Sequence, residues 1–425
     1  MVYSERWTAH AVLFLVCFKG IMQKRILIVL FATLVLDAVS FGIVIPIIPI
    51  VLTDPMSPSF ILQGFSVQSQ FLIAGFVTAV FGIMQFLGAP VLGELSDVYG
   101  RKKLLTLGIA ALALSQVLFG FAIEIGALWL LFVSRIVGGL AAANFAIAQA
   151  TIADVTEPKD RAKNFGLVGA ALGIGFIIGP LLSGWMVHFF ASASAPFWFA
   201  AMLGLMNVIS VSLFMPETRK HIREAAHTFH ILKGMQNIKA ALNDVDVRPV
   251  YATSFLYISG FSFFVAFSGI YLVQRFGLSP GEIGTFFGVV GGWIIFTQGV
   301  LLRILTRYFS ERQILRVSIL MMGAGLSIYS FLPSMALVYT IMPMIAIGNG
   351  LSIANISALV SKGVSGEKQG AALGINGSLM ALGNGVIPIV AGTVSGVFGI
   401  GMPFILGSIL VFTAWVVLFG RMFLH

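Results

Sequence analysis

Runs of about twenty apolar residues, separated by polar breaks, recur along the whole of this 425-residue chain. A helix needs roughly 20 residues to cross the hydrocarbon of a bilayer. The runs predict twelve such helices, near residues 26–52, 69–92, 104–122, 127–153, 164–190, 196–215, 249–274, 283–302, 313–331, 335–358, 370–397 and 402–420. Most breaks are short, which suits antiparallel neighbours. One is long: PETRKHIREAAHTFHILKGMQNIKAALNDVDVR, from Pro216 to Arg248, divides the chain into two sets of six. The pattern reads as an N-terminal segment (1–25), a first six-helix bundle (26–215), a linker (216–248) and a second bundle (249–425). In the linker Phe229, Leu232, Met235, Ile238 and Leu242 recur at helical spacing beside Lys233 and Lys239, predicting an amphipathic helix on the membrane surface. Near the N-terminus AVLFLVCF is too short to span and lacks the basic flank and cleavage site of a signal peptide. An interfacial helix there and a translation start at Met22 are both open.

Composition agrees with a membrane chain. It is 58% hydrophobic and only 10% charged, against about a quarter charged in soluble domains. The formal charge of +9 is read through the positive-inside rule rather than as a nucleic-acid surface. With the N-terminus inside, all but two of the 25 Lys and Arg fall on inner segments; Arg275 lies outside and Arg135 within a span. Both termini are therefore expected in the cytoplasm. The single Cys17 excludes an internal disulfide and a cysteine-built metal site. His221, His227 and His230 share the linker and read as solvated, so no metal and no cofactor is expected. Neither a nucleophile–base set nor a P-loop occurs, which argues against an enzyme.

The two sets of six resemble each other. Shifting the chain by 208 positions lays Gly166 on Gly374, Gly169 on Gly377, Gly175 on Gly383, Pro180 on Pro388 and Gly184 on Gly392, in the fifth and eleventh spans. A shift of six spans preserves orientation, so the halves are parallel repeats about an axis along the membrane normal. Such a pair encloses a cavity that opens to either side by rocking.

The breaks carry motifs. GELSDVYGRKK (93–103) gathers Gly93, Asp97, Gly100, Arg101 and Lys102 between two uncharged spans. It resembles the signature loop between the second and third helices of the major facilitator superfamily. SRIVGGLAAAN (134–144) resembles that family's fourth-helix motif, with Arg135 inside the bilayer. GLVGAALGIGFIIGPLLSG (166–184) places Gly166, Gly175, Gly179, Pro180 and Gly184 at the spacing of its antiporter fifth helix. LDAVSFGIVIPIIP (36–49) resembles the first helix of the tetracycline and multidrug exporters. The resemblance implies an all-α fold of two pseudo-symmetric six-helix bundles and a twelve-helix drug:proton antiporter. It implies that Asp97 docks at the start of the eleventh helix, near Gly370, and that Arg101 pairs with acids of facing loops when the inner side is closed. Tetracycline exporters carry further carboxylates in the third and ninth helices, and the corresponding spans here have none. That departure counts against tetracycline as the specific cargo.

Asp37 is the lone carboxylate deep within a predicted span and Arg135 the lone base. A charge at a helix centre costs about 2.5–3.5 kcal/mol, and such groups face the bundle interior and pair. The two are expected to meet, Asp37 as the proton site and Arg135 setting its affinity; a stabilising pair without a coupling role is the alternative. Gln85, Asn144, Gln149, Trp293, Gln298, Asn349, Asn355, Asn376 and Asn384 are the polar or aromatic groups from which a cavity lining would be drawn. Each is equally suited to an interhelical hydrogen bond. The expected partners are protons, lipid and a small amphipathic solute, exported by a monomer across a bacterial inner membrane. A proton-coupled symporter, a metabolite exporter or a non-transporting receptor on the same scaffold are the rival readings.

Overall fold

A computed structural model describes residues 2–142, 144–156, 161–219, 247–364 and 369–420, with isolated positions between 235 and 243; side chains of the first helix are described from Met22 onward. In hydrocarbon every backbone N–H and C=O must be satisfied within the chain, and the described residues are almost entirely helical. In chain order the helices are α1 (Val2–Val44), α2 (Ile47–Leu52), α3 (Val67–Tyr99), α4 (Arg101–Glu124), α5 (Leu128–Ala141), α6 (Asn144–Val155), α7 (Arg161–Phe190) and α8 (Ala195–Phe214). After the linker come α9 (Arg248–Phe276), α10 (Pro280–Phe296), α11 (Glu311–Tyr329), α12 (Met335–Lys362), α13 (Gln369–Phe398) and α14 (Met402–Phe419). A π-helical turn, Thr297–Leu301, carries α10 on to Leu305.

The predicted spans reappear with three breaks. The first divides at Pro46 into α1 and α2, because proline lacks the donor that an unbroken helix needs. The fourth divides near Ala142 into α5 and α6. The eighth contains the π turn, a feature often found at functional positions. Among the described residues eleven helices are long and apolar enough to cross a membrane. The exception is α11, whose first two turns carry Glu311, Arg312 and Arg316. It nevertheless packs along α12 and α14 as one more helix of the set. Of the linker pattern Met235 and Lys239 are exposed and Ile238 packs against the cluster around Val247 and Tyr251, while its other residues, the three linker histidines and Cys17 fall outside the described side chains.

Most helices have their main neighbours within α1 to α8 or within α9 to α14, but the main neighbour of α3 is α13 and that of α10 is α7. Across the two groups run three seams: α3 on α13, α7 on α10, and α2 on α9. Glycines make the first two close. A Cβ on Gly82 would stand 2.7 Å from Gly385 N, one on Gly392 3.2 Å from Leu72 Cα, and one on Gly184 2.9 Å from Gly281 Cα. In the third, Gly269 lies against Pro49, and Gln274 Nε2 donates to the Thr53 carbonyl.

All of these contacts lie away from the basic loops. Eleven residues make three turns, so Gly93 shares a face with Gly82, and Gly374 with Gly385. A Cβ on either Gly93 or Gly374 would meet nothing within 4 Å. On the α7–α10 seam the last such contact toward the basic end joins Gly173 to Ile295. The two groups thus meet at the end opposite the basic loops and stand apart at the basic end. An aromatic core stiffens the joined end of the second group: Tyr329 lies 5.3 Å from Tyr271, 4.8 Å from Phe404 and 5.4 Å from Phe264 between ring centroids.

Candidate functional site

Asp37 sits in the last third of α1, midway along the first span, and is 6% exposed. Its partner is Asn144, whose Nδ2 donates to Asp37 Oδ2 at 3.0 Å. Asn144, in α6, is fully buried, and Gly108 on α4 leaves it room: a Cβ there would stand 3.0 Å from Asn144 Cγ. One turn along α1, the Ser40 carbonyl accepts from Gln116 Nε2 at 3.2 Å. Helix α7 closes the other side, where a Cβ on Gly175 would come within 2.8 Å of Val39 N.

Arg135 is 4% exposed and does not meet Asp37. No ion pair joins them among the described residues. Its guanidinium lies over the rings of Phe119 at 4.6 Å and Phe81 at 5.4 Å, and its Nε has no acceptor. The physical reason is local: α5 turns Arg135 toward α3 and α4, which offer ring faces, while past the break Asn144 occupies the carboxylate. Cation–π contact partly offsets the cost of burying the charge. Phe81 in turn contacts Phe41 of α1, with ring centroids 5.7 Å apart. The acid and the base therefore bear on one aromatic-walled region from different helices.

At the basic end the signature loop forms a compact charged cluster. Gly100 adopts φ +96°, a left-handed value that favours glycine, and lets the chain turn from α3 into α4. Arg101 binds Asp97 at 2.6 Å, Asp154 at 3.1 Å and Ser96 Oγ at 2.5 Å. Arg219 lies 3.6 Å from Asp97. Asp97 is thus held by Arg101 of α4 and by Arg219, which follows α8; the surroundings of Gly370, its expected dock, lie outside the described residues. Glu217, which the motif reading missed, accepts from the backbone N–H of Arg101 at 2.9 Å and of Lys102 at 3.1 Å. It caps α4 with a carboxylate at the positive helix end. The signal in the sequence was one acid directly after the sixth span. Lys102 Nζ donates to the Ser212 carbonyl at 2.7 Å, tying α4 to α8. Removing the cap in Glu217→Ala is expected to cost about 1 kcal/mol, read as a lower melting temperature in detergent with the helix content retained.

The second group repeats this tie with the charges exchanged. The shift of 208 that aligns the glycines carries Asp154 onto Lys362. Lys362, at the end of α12, binds Glu311 at the start of α11, just as Asp154 at the end of α6 binds Arg101 at the start of α4. The hydrogen bond from Lys362 holds the Glu311 carboxyl below the usual carboxylate range. A group with a lowered folded value contributes stability above its unfolded value and loses it as pH falls through the folded one. Lys362 is largely exposed, so the effect is small. Melting temperature should fall slightly less steeply below pH 4.5 in Glu311→Gln than in the unaltered protein.

The fifth-helix glycines divide their work. Gly175 and Gly179 face α1, a Cβ on Gly179 standing 2.7 Å from Gly42 Cα. Gly184 faces α10 across the seam, where a Cβ on Gly284 would come within 3.2 Å of Gly184 Cα. Pro180 touches both neighbours, its ring against Gly42 and its carbonyl against Gly284. The surroundings of Gly166 lie outside the described residues.

The structure spreads the possible lining residues widely. Asn144 belongs to Asp37. Asn349 is buried, 3.4 Å from the Tyr257 hydroxyl that donates toward it. Asn355 donates to Leu351 within its own helix at 2.7 Å. Asn376 donates to Met380 Sδ at 3.7 Å, and its Oδ1 lacks a donor. Trp293 packs edge-on to Phe296 at 5.8 Å, and half-buried Gln298 sits in the π turn. Gln85 is half-buried on α3; Gln149 and Asn384 are exposed. Among the described residues no hydrogen bond joins any two of them.

Comparison with known proteins places this geometry in a family. Residues 30–384 match the model of the Major Facilitator Superfamily. The class C tetracycline resistance protein of Escherichia coli is 30% identical over 85% of this chain and 86% of its own. Multidrug resistance protein 1 of Bacillus subtilis is 28% identical over 87% and 90%. A bacterial homologue of the human lysosomal transporter Spinster, crystallised in an inward-facing and occupied conformation, superposes with a TM-score of 0.74 over 94% of this chain and 97% of that one, at 13% identity. With the family model spanning most of its length, this multi-pass membrane chain belongs to the Major Facilitator Superfamily.

Proposed function

We propose that this transporter exports small amphipathic compounds in exchange for protons. The observation that carries the reading is Asp37: a carboxylate in mid-span, removed from water, held by one neutral amide and backed by the antiporter-type helix α7. Such a group is costly to keep in a bilayer and marks an ion pathway by default. The tetracycline and multidrug resistance names of the relatives suit this reading.

In it the chain forms two six-helix bundles, before and after the linker, with both termini and the basic loops in the cytoplasm of a bacterial cell. The seams that meet opposite the basic loops then make this an inward-open conformation, with the outer side sealed. Cargo enters from the cytoplasm. Rocking separates α3 from α13 and α7 from α10, and Asp37 exchanges its proton as the path changes sides. Arg135 acts across the Phe81 and Phe41 rings and comes to the carboxylate only in another conformation. One helix of each tie, α4 and α11, is fixed to its own bundle here, so each bundle moves as a unit.

Susceptibility of a pump-deficient bacterial host tests the reading. Expression should raise the inhibitory concentration of several amphipathic drugs, and a protonophore should remove the protection. Protection that survives the protonophore, or none for any amphipathic drug, would count against proton-driven export.

A further inference from the structure

At the basic end α1 and α8 enclose an open pocket of about 400 Å³ lined by Lys24, Arg25, Ile28, Val29 and Phe214. It shares no residue with the interior carboxylate or the signature loop. Lys24 and Arg25 are exposed, and no ion pair or carboxylate is found on either among the described residues. The Arg25 guanidinium lies 5.3 Å over the Phe214 ring, which fixes its plane and leaves its N–H edges free. Below the cations the walls are apolar and bare: Ile28 is 68% and Phe214 48% exposed. The depth is set by Lys102, which binds the Ser212 carbonyl at 2.7 Å, half a turn from Phe214. Two free cations therefore stand over an apolar slot at the level where a span leaves the hydrocarbon.

We infer that this pocket binds one anionic phospholipid. Arg25 presents a planar donor fork to the phosphate and Lys24 a point charge, while the top of an acyl chain covers Ile28, Val29 and Phe214. A zwitterionic headgroup brings its own ammonium against the two cations and is disfavoured. A free phosphate leaves the apolar walls uncovered. Ligation lies on α1, the helix that carries Asp37, and on α8, whose C-terminal extension carries Glu217, but the inference does not depend on the transport reading.

Purified full-length protein, stripped of lipid and titrated with phosphatidylglycerol, phosphatidylcholine or inorganic phosphate, tests it by native mass spectrometry. Phosphatidylglycerol should be retained over phosphatidylcholine, with no adduct from inorganic phosphate. Two surface cations are each worth a factor of about five, so Lys24→Gln with Arg25→Gln should lower phosphatidylglycerol occupancy roughly thirtyfold. Phe214→Ala should weaken it with both cations present. Arg303→Gln with Arg307→Gln, which removes equal charge from exposed positions of the other group, should change nothing. Equal losses in the two double variants, unchanged retention after Lys24 and Arg25 are replaced, or inorganic phosphate binding as well as the lipid would each overturn the assignment.

Discussion

Asp37→Asn is expected to leave a folded protein that no longer couples solute movement to protons. The substitution keeps the size of the side chain, and its amide oxygen can still accept from Asn144 Nδ2, which donates to Asp37 at 3.0 Å. It removes the one titratable carboxyl of the mid-span region. One charge crossing about 100 mV supplies roughly 2.3 kcal/mol, a gradient of about fortyfold. The variant should therefore equilibrate a labelled amphipathic dye across a proteoliposome without concentrating it, while solute–solute exchange persists. Asn144→Ala distinguishes the partner from the proton site: it should shift the pH dependence of transport without abolishing coupling. If Asp37→Asn concentrates dye as well as the unaltered protein does, the proton passes elsewhere.

Gly82→Leu is expected to push the conformational balance away from the present state. Its Cβ would stand 2.7 Å from Gly385 N and 2.8 Å from Gly385 Cα, backbone that cannot rotate aside. Overpacking of this kind costs about 1–3 kcal/mol. The clash exists only while the outer seam is shut, so the cost falls on one conformation and the ratio shifts by about 5–150-fold. With Cys17 replaced by Ser and Ser395→Cys introduced at a position 2% exposed beside Gly396, an impermeant thiol reagent should label the outer mouth faster in the Gly82→Leu background. Gly179→Leu serves as the contrast. Its clash with Gly42 lies between α1 and α7 of one group, persists in both conformations, and should lower stability without speeding labelling. Equal labelling in both backgrounds would mean that the outer seam is plain packing and does not move.

Much of the fold was legible because the bilayer enforces a simple rule. Twenty apolar residues in a row have few solutions other than a helix, so twelve spans could be placed from pattern alone, and eleven of them are long and apolar enough to cross a membrane among the described residues. The breaks at Pro46 and Ala142 were harder. Pro46 signals a break by chemistry, whereas nothing in the sequence around Ala142 announces that α5 ends there. The partner of Asp37 is Asn144, whereas the lone acid and the lone base of neighbouring spans suggested Arg135. Counting charges finds the buried acid and the buried base, but opposite charge alone does not specify contact when aromatic rings compete for the cation. The tie between Asp154 and Arg101, and its reversed copy between Lys362 and Glu311, was hidden because the signs are exchanged and only the Asp154 position is kept by the shift, which lays Arg101 on Phe309. The glycine repeat, by contrast, was visible in the sequence, and two of its pairs, Pro180 with Pro388 and Gly184 with Gly392, lie on the seams along which the two groups meet.

The most direct measurement uses purified protein in liposomes with an imposed pH difference and the membrane potential clamped at zero. Exchange of one proton for each uncharged solute should concentrate an amphipathic dye on the acidic side by about tenfold per pH unit, and collapse of the pH difference should release it. Dye that ignores the imposed difference, moving equally in both directions or not at all, would contradict the account.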